Sequence, residues 1–164
     1  FISKRCNDGL AVPWHQDGVY WGNRLEPMDV ITMWLAVDAS QVENGCMRVI
    51  AGSHRDQDLR YQTVATRSEN LFGSEVVTED RDPSKVVDLE LAVGECHFHK
   101  AFTIHGSNAN TSQQRRCGYT MRYMPASVRC NDAKANLSHQ IYLLRGQDLT
   151  NGYNRYSSLP SFPS

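Results

Sequence analysis

With 164 residues, the chain is long enough for one domain with a real core and short for two. Hydrophobic residues make up 40% and charged residues 21%; 17 basic residues face 18 acidic ones, for a formal net charge of -1. That balance, without long runs of one sign, gives neither a nucleic-acid nor a membrane-surface partner electrostatic support, and apolar stretches such as Val30–Val37 are far too short to span a bilayer.

In chain order, Phe1-Ile2-Ser3-Lys4-Arg5 lacks the continuous apolar run of a signal peptide and opens as if in mid-domain, so a preceding segment is expected. Short runs rich in Val, Ile, Trp, Tyr and Thr then alternate with Gly, Asn, Asp and Ser clusters, which is the punctuation of an all-β chain. The predicted strands are Leu10–Asp17, Val30–Val37, Cys46–Ile50, Val86–Leu91, Glu95–Phe98 and Arg116–Tyr123, with turns at Glu43-Asn44-Gly45, Ala51-Gly52-Ser53, Val93-Gly94 and Gly106-Ser107-Asn108. Asp56–Asp82 reads as a polar excursion. With the loop Gly18–Met28, it is a candidate lid. Helical periodicity is weak throughout. Six or more short strands in one small domain predict a sandwich, jelly roll or barrel over residues 1–130, and the polar tail 131–164 reads as an irregular extension packed on it. Cys6, Cys46, Cys96, Cys117 and Cys130 are odd in number and widely spaced, without a C-x-x-C pair. They read as free thiols of a reducing, cytoplasmic compartment and do not suit a structural zinc site.

The densest chemistry is Trp14-His15-Gln16-Asp17-Gly18. On a strand, His15 and Asp17 share one face and can grip a single ion; a distant His completes a 2-His-1-carboxylate triad that leaves three positions open on iron(II). Alone, H-x-D is common by chance and describes a hydrogen-bonded surface pair equally well. His105 is the preferred second imidazole because a polar turn and a new strand follow it. A hairpin there would return Arg116 to the neighbourhood of His105, where its planar fork suits a carboxylate and Ser107 adds a hydroxyl. Arg115, its neighbour, faces the other way and reads as a surface salt bridge.

Several ordered landmarks over Val12–Tyr123 resemble the phytanoyl-CoA dioxygenase family of 2-oxoglutarate-dependent oxygenases. They are Trp14-His15-Gln16-Asp17, Met33-Trp34-Leu35-Ala36-Val37, Glu43-Asn44-Gly45-Cys46-Met47, Ile50-Ala51-Gly52-Ser53-His54-Arg55, Gly94-Glu95 and His105-Gly106-Ser107, with Arg116 eleven residues after the His. The resemblance implies a double-stranded β-helix (jelly roll, cupin-like) with short helical insertions. It implies iron ligands His15, Asp17 and His105, the distal carboxylate of 2-oxoglutarate on Arg116 and Ser107, and Trp34 lining that pocket. The activity implied is O2-dependent hydroxylation of a C–H bond of a small molecule, with release of succinate and CO2. Because Asp17 is kept, the oxygenase branch is expected rather than the halogenases, which lack that carboxylate. Strand parity puts Gly118, Thr120 and Arg122 on the face of Arg116. Thr120 and Arg122 are therefore candidate substrate contacts, Arg122 for an anionic group, and Gln16, between His15 and Asp17, is a further candidate.

Two other readings compete. His97-Phe98-His99 with His105 suggests a cupin-type metalloenzyme working without keto acid, although the Glu that pattern wants is missing; His99 otherwise reads as a structural turn residue, His54 as a fold-stabilising corner and His139 as solvent-facing. A non-catalytic jelly-roll ligand-binding module is the third. No Gly-rich nucleotide loop accompanies the turn glycines. The oligomeric state is not legible in the sequence.

Overall fold

The computed structural model describes residues 1–56, 61–63, 74–79, 82–131 and 140–158. Twelve strands occur in it: β1 (Ile2–Lys4), β2 (Val12–His15), β3 (Leu25–Glu26), β4 (Ile31–Ala36), β5 (Met47–Ile50), β6 (Tyr61–Thr63), β7 (Ser74–Val76), β8 (Val86–Leu89), β9 (Cys96–Lys100), β10 (His105–Ser107), β11 (Arg116–Tyr123) and β12 (Arg129–Cys130). Eight of them form two four-stranded antiparallel sheets, ordered β1-β11-β4-β9 and β2-β10-β5-β8. Successive strands of these sheets mostly switch from one to the other, which is the winding of a double-stranded β-helix and bears out the all-β jelly-roll expectation.

The alternation of residue types explains which faces meet. Along β4, Thr32, Trp34 and Ala36 are buried while Ile31, Met33 and Leu35 are less so, a period of two. Opposite Trp34 on β11 the chain needs glycine next door: a Cβ on Gly118 would lie 2.1 Å from the indole. On the second sheet, Ile50 and Ile104 pack with Val76, Trp14, Tyr61 and Val86 into the apolar centre. Val76 belongs to β7, paired with β6, so this described part of the Asp56–Asp82 excursion is a two-stranded ribbon plugged into the core rather than a free lid. Residues 57–60, 64–73 and 80–81 of that excursion, and His139, lie outside the described residues.

Three strand expectations need correction. The strand predicted over Leu10–Asp17 stops at His15, because Gly18 N–H turns to donate to the Ala101 carbonyl and Asp17 opens a five-residue helix, α1 (Asp17–Trp21). His105 and Arg116 are not joined by a hairpin: β10 pairs with β2 and β5, whereas β11 pairs with β1 and β4 in the opposite sheet. His99 sits within β9, not in a turn. The C-terminal stretch is tied to β12, where Asn154 accepts from Cys130 N–H (2.8 Å) and donates to the Val128 carbonyl (2.9 Å). Among the described residues no helix is long and apolar enough to cross a membrane.

Candidate metal centre

His15 ends β2 and His105 begins β10, and the two are direct cross-strand partners, so their rings meet with centroids 4.1 Å apart. Each ring is tethered in the same way: His15 Nδ1 donates to the Pro13 carbonyl (2.8 Å) and His105 Nδ1 to the Thr103 carbonyl (2.9 Å). Those bonds fix the tautomer and turn both Nε2 lone pairs toward Asp17. Asp17 Oδ1 lies 3.6 Å from His15 Nε2 and 3.8 Å from His105 Nε2. One donor atom from each of the three residues falls within a 4.8 Å group, a spread that one cation can close.

The electrostatics suit a metal. Burial alone would push the Asp17 carboxyl up. The facing His15 and His105 rings in their protonated form, with the Arg122 guanidinium, outweigh that and hold it at about 2, so it is ionised at neutral pH, where the rings are neutral. Burial, reinforced by the neighbouring imidazoles of His15 and His99, pushes His105 below the usual imidazole range and keeps it the neutral form a metal needs. Two imidazoles and a carboxylate without thiolate form a borderline-hard donor set, which accepts iron(II) and other divalent first-row ions.

A row of rings leads away from this cluster. His99 lies 4.6 Å from His105, His97 5.4 Å from His99, and the Trp34 indole stacks on His97 at 5.7 Å. At its end the Arg116 guanidinium sits 5.3 Å over Trp34, with Nε and Nη2 donating to the Gly45 carbonyl at 3.1 and 2.9 Å. Arg116 is buried, and no carboxylate among the described residues pairs with it. Burial lowers it only to about 10, so the cation persists at neutral pH. Ser107 is buried opposite Met47, whose sulfur touches His97 Nε2 at 3.1 Å, so its side shares this interior face. A buried cation without a counter-charge calls for an anionic ligand.

The other expected residues divide. Thr120 stands opposite Trp34 and Arg122 opposite Thr32, both partners facing inward; Arg122 Nη2 reaches Asp17 Oδ2 at 3.7 Å and its guanidinium covers Trp21 at 5.1 Å. Gln16 is a correction. It is fully buried and donates to the Asp56 and Phe102 carbonyls, which makes it a strut between loops rather than a substrate contact. Arg115 pairs with Asp38 at 2.7 Å on the outside, as parity required. His99, expected as a structural turn residue or a member of a cupin triad, faces the cluster instead: its Nε2 lies 4.0 Å from Asp17 Oδ2, and neither ring nitrogen has a hydrogen-bond partner among the described residues. The signal was present in the alternation His97-Phe98-His99, which on a strand turns both imidazoles inward. His97 and His99 do not form the cupin triad, since His97 Nε2 is turned to Met47 and the carboxylate lies at His15 and His105.

The phytanoyl-CoA dioxygenase family model matches residues 1–118. The chain belongs to this family. A "Phytanoyl-CoA dioxygenase domain-containing protein 1 homolog" of Caenorhabditis elegans is 33% identical over 129 residues, covering 76% of this chain and 44% of the relative. The chain thus spans about half the length of the curated relatives it matches. Among solved structures, EvdO2 of Micromonospora carbonacea in complex with 2-oxoglutarate aligns with a TM-score of 0.60 at 28% identity, covering 74% of this chain and 48% of that one. The apo non-heme monooxygenase ThoJ aligns with a TM-score of 0.70 over 95% of this chain and 53% of its own; at 24% identity that likeness is one of fold.

Proposed function

We propose that this family member carries the core of an iron(II)- and 2-oxoglutarate-dependent dioxygenase that hydroxylates a C–H bond of a small metabolite, releasing succinate and CO2. The observation that carries the reading is the pairing of two features on one interior row. One is the His15, Asp17 and His105 donor cluster; the other is the buried Arg116, which pairs with no carboxylate among the described residues. In this reading the three donors hold iron(II), which when bound supplies open positions for the keto acid and O2. Arg116, with Ser107 beside the path, takes the distal carboxylate, and Trp34 forms a wall that excludes water. The Nδ1 tethers hold both imidazoles in place, and Arg122 balances the Asp17 charge. Thr120 and Arg122 border the substrate. With the Asp17 carboxylate filling its position, hydroxylation is the outcome rather than halogenation. Residues 1–130 form the oxygenase core and 131–164 the extension. The free thiols suit a cytoplasmic protein that acts on small molecules, without nucleic-acid or membrane partners.

The test is turnover of 2-oxoglutarate to succinate with iron(II) and O2 across a metabolite panel. Succinate formation coupled to a hydroxylated product is the expected result. Arg116→Ala should weaken 2-oxoglutarate strongly. Turnover indifferent to that substitution would favour cupin chemistry, and no succinate under any condition would leave a ligand-binding module.

A further inference from the structure

The interior between the metal cluster and Arg116 holds polar atoms that the fold leaves unpaired. His99 on β9 stands directly opposite Thr32 on β4, and both side chains turn inward, His99 6% exposed and Thr32 1%. Seven buried side-chain nitrogens and oxygens lack a hydrogen-bond partner among the described residues. Four of them lie here: Nδ1 and Nε2 of His99, Nδ1 of His97 and Oγ1 of Thr32. An imidazole carries at least one N–H whatever its charge, and a buried donor without a partner is destabilising. Such a concentration calls for a polar ligand.

The place of His99 says which ligand. Its Nε2 is 4.0 Å from Asp17 Oδ2, too far for a hydrogen bond, and that oxygen already faces Arg122 Nη2 at 3.7 Å. The His99 ring lies 4.6 Å from the ring of His105 and 5.4 Å from that of His97, which stacks on Trp34 beneath the Arg116 guanidinium. A dicarboxylate reaching from the cluster to Arg116 passes along this row and brings its oxygens beside His99.

We propose that His99 donates a hydrogen bond to the metal end of the keto acid and thereby sets the affinity for 2-oxoglutarate. The assignment rests on the oxygenase reading above. The chain loaded with iron(II) is titrated anaerobically with 2-oxoglutarate and followed by the visible absorption band of the iron–keto-acid pair, alongside His99→Phe and His99→Gln. Phenylalanine fills the ring's space without an N–H, and glutamine restores a donor. His99→Phe should raise the Kd for 2-oxoglutarate tenfold or more and move the band maximum. His99→Gln should return the Kd to within threefold of the unaltered chain. Both variants should still bind one iron(II) with unaltered affinity, which also shows that they are folded. An unchanged Kd in His99→Phe would overturn the proposal. So would equal losses in the two variants, the mark of a packing role, or a fall in iron affinity, the mark of a contact to Asp17 instead. An unaltered chain that binds iron(II) yet gives no band with 2-oxoglutarate would remove the oxygenase reading and this assignment with it, a result distinct from the other three.

Discussion

At the scale of single residues, two substitutions separate metal chemistry from keto-acid recognition. Asp17→Ala removes the one carboxylate of the cluster and should abolish turnover while leaving the fold intact, because the side chain is partly accessible and its main partners are the two imidazoles and Arg122. Arg116→Lys keeps the charge but loses the fork, and should raise the KM for 2-oxoglutarate about tenfold or more with a smaller effect on kcat, as steady-state succinate assays will show. His15, Asp17, His105 and Arg116 were legible in the sequence because each sits in an ordered landmark. Gln16 misled because its position between two ligands says nothing of its direction: the chain leaves the strand at that residue, and the side chain turns to two loop carbonyls. His99 was discounted as a turn residue because β9 was predicted to end at Phe98; two more strand residues aim it at Asp17.

At the scale of elements, the contact of β4 with β11 positions the corridor between cluster and guanidinium. Gly118→Ala would drive a methyl group into the Trp34 indole and should cost about 1–3 kcal/mol by overpacking. Thermal melts should show the loss, and Trp34→Leu should relieve most of it in the double variant, a coupling that distant sites would not display. The strands of this pair were readable from their β-branched and aromatic content, and β11 matches its predicted bounds residue for residue. Sheet membership was not readable. Gly106 and Ser107, expected in a turn, continue strand β10, and the polar stretch beyond them looks the same whether the next strand folds back beside it or crosses to the other sheet; only the long-range pairing of β11 with β1 and β4 decides. Both routes bring Arg116 to the interior, so the functional inference survived a wrong topology.

For the whole molecule, buried imidazoles set the response to acid. Burial holds His97 and His99 at about 4, below the ordinary 6.5, and displaces His105 in the same direction. Between those values the unfolded chain binds protons that the folded chain does not, so stability rises with pH from about 4 to 6.5 and falls on acidification. Asp17, held at about 2, adds a loss in the same sense below its ordinary 3.8. Metal-free protein should therefore melt at lower temperature at pH 5 than at pH 7, and His99→Phe should flatten that dependence. A melting temperature independent of pH across this window would contradict the burial of these rings. A bound cation at a hundred times its Kd should add about 2.7 kcal/mol.

The most direct test counts the metal. Iron(II) titrated anaerobically into the chain, followed by calorimetry and elemental analysis, should saturate at one ion per chain. His15→Ala, Asp17→Ala and His105→Ala should each lose that site, whereas His97→Phe should keep it. Full iron binding by Asp17→Ala, or its loss in His97→Phe with the triad intact, would contradict the central claim that these three side chains converge on one cation.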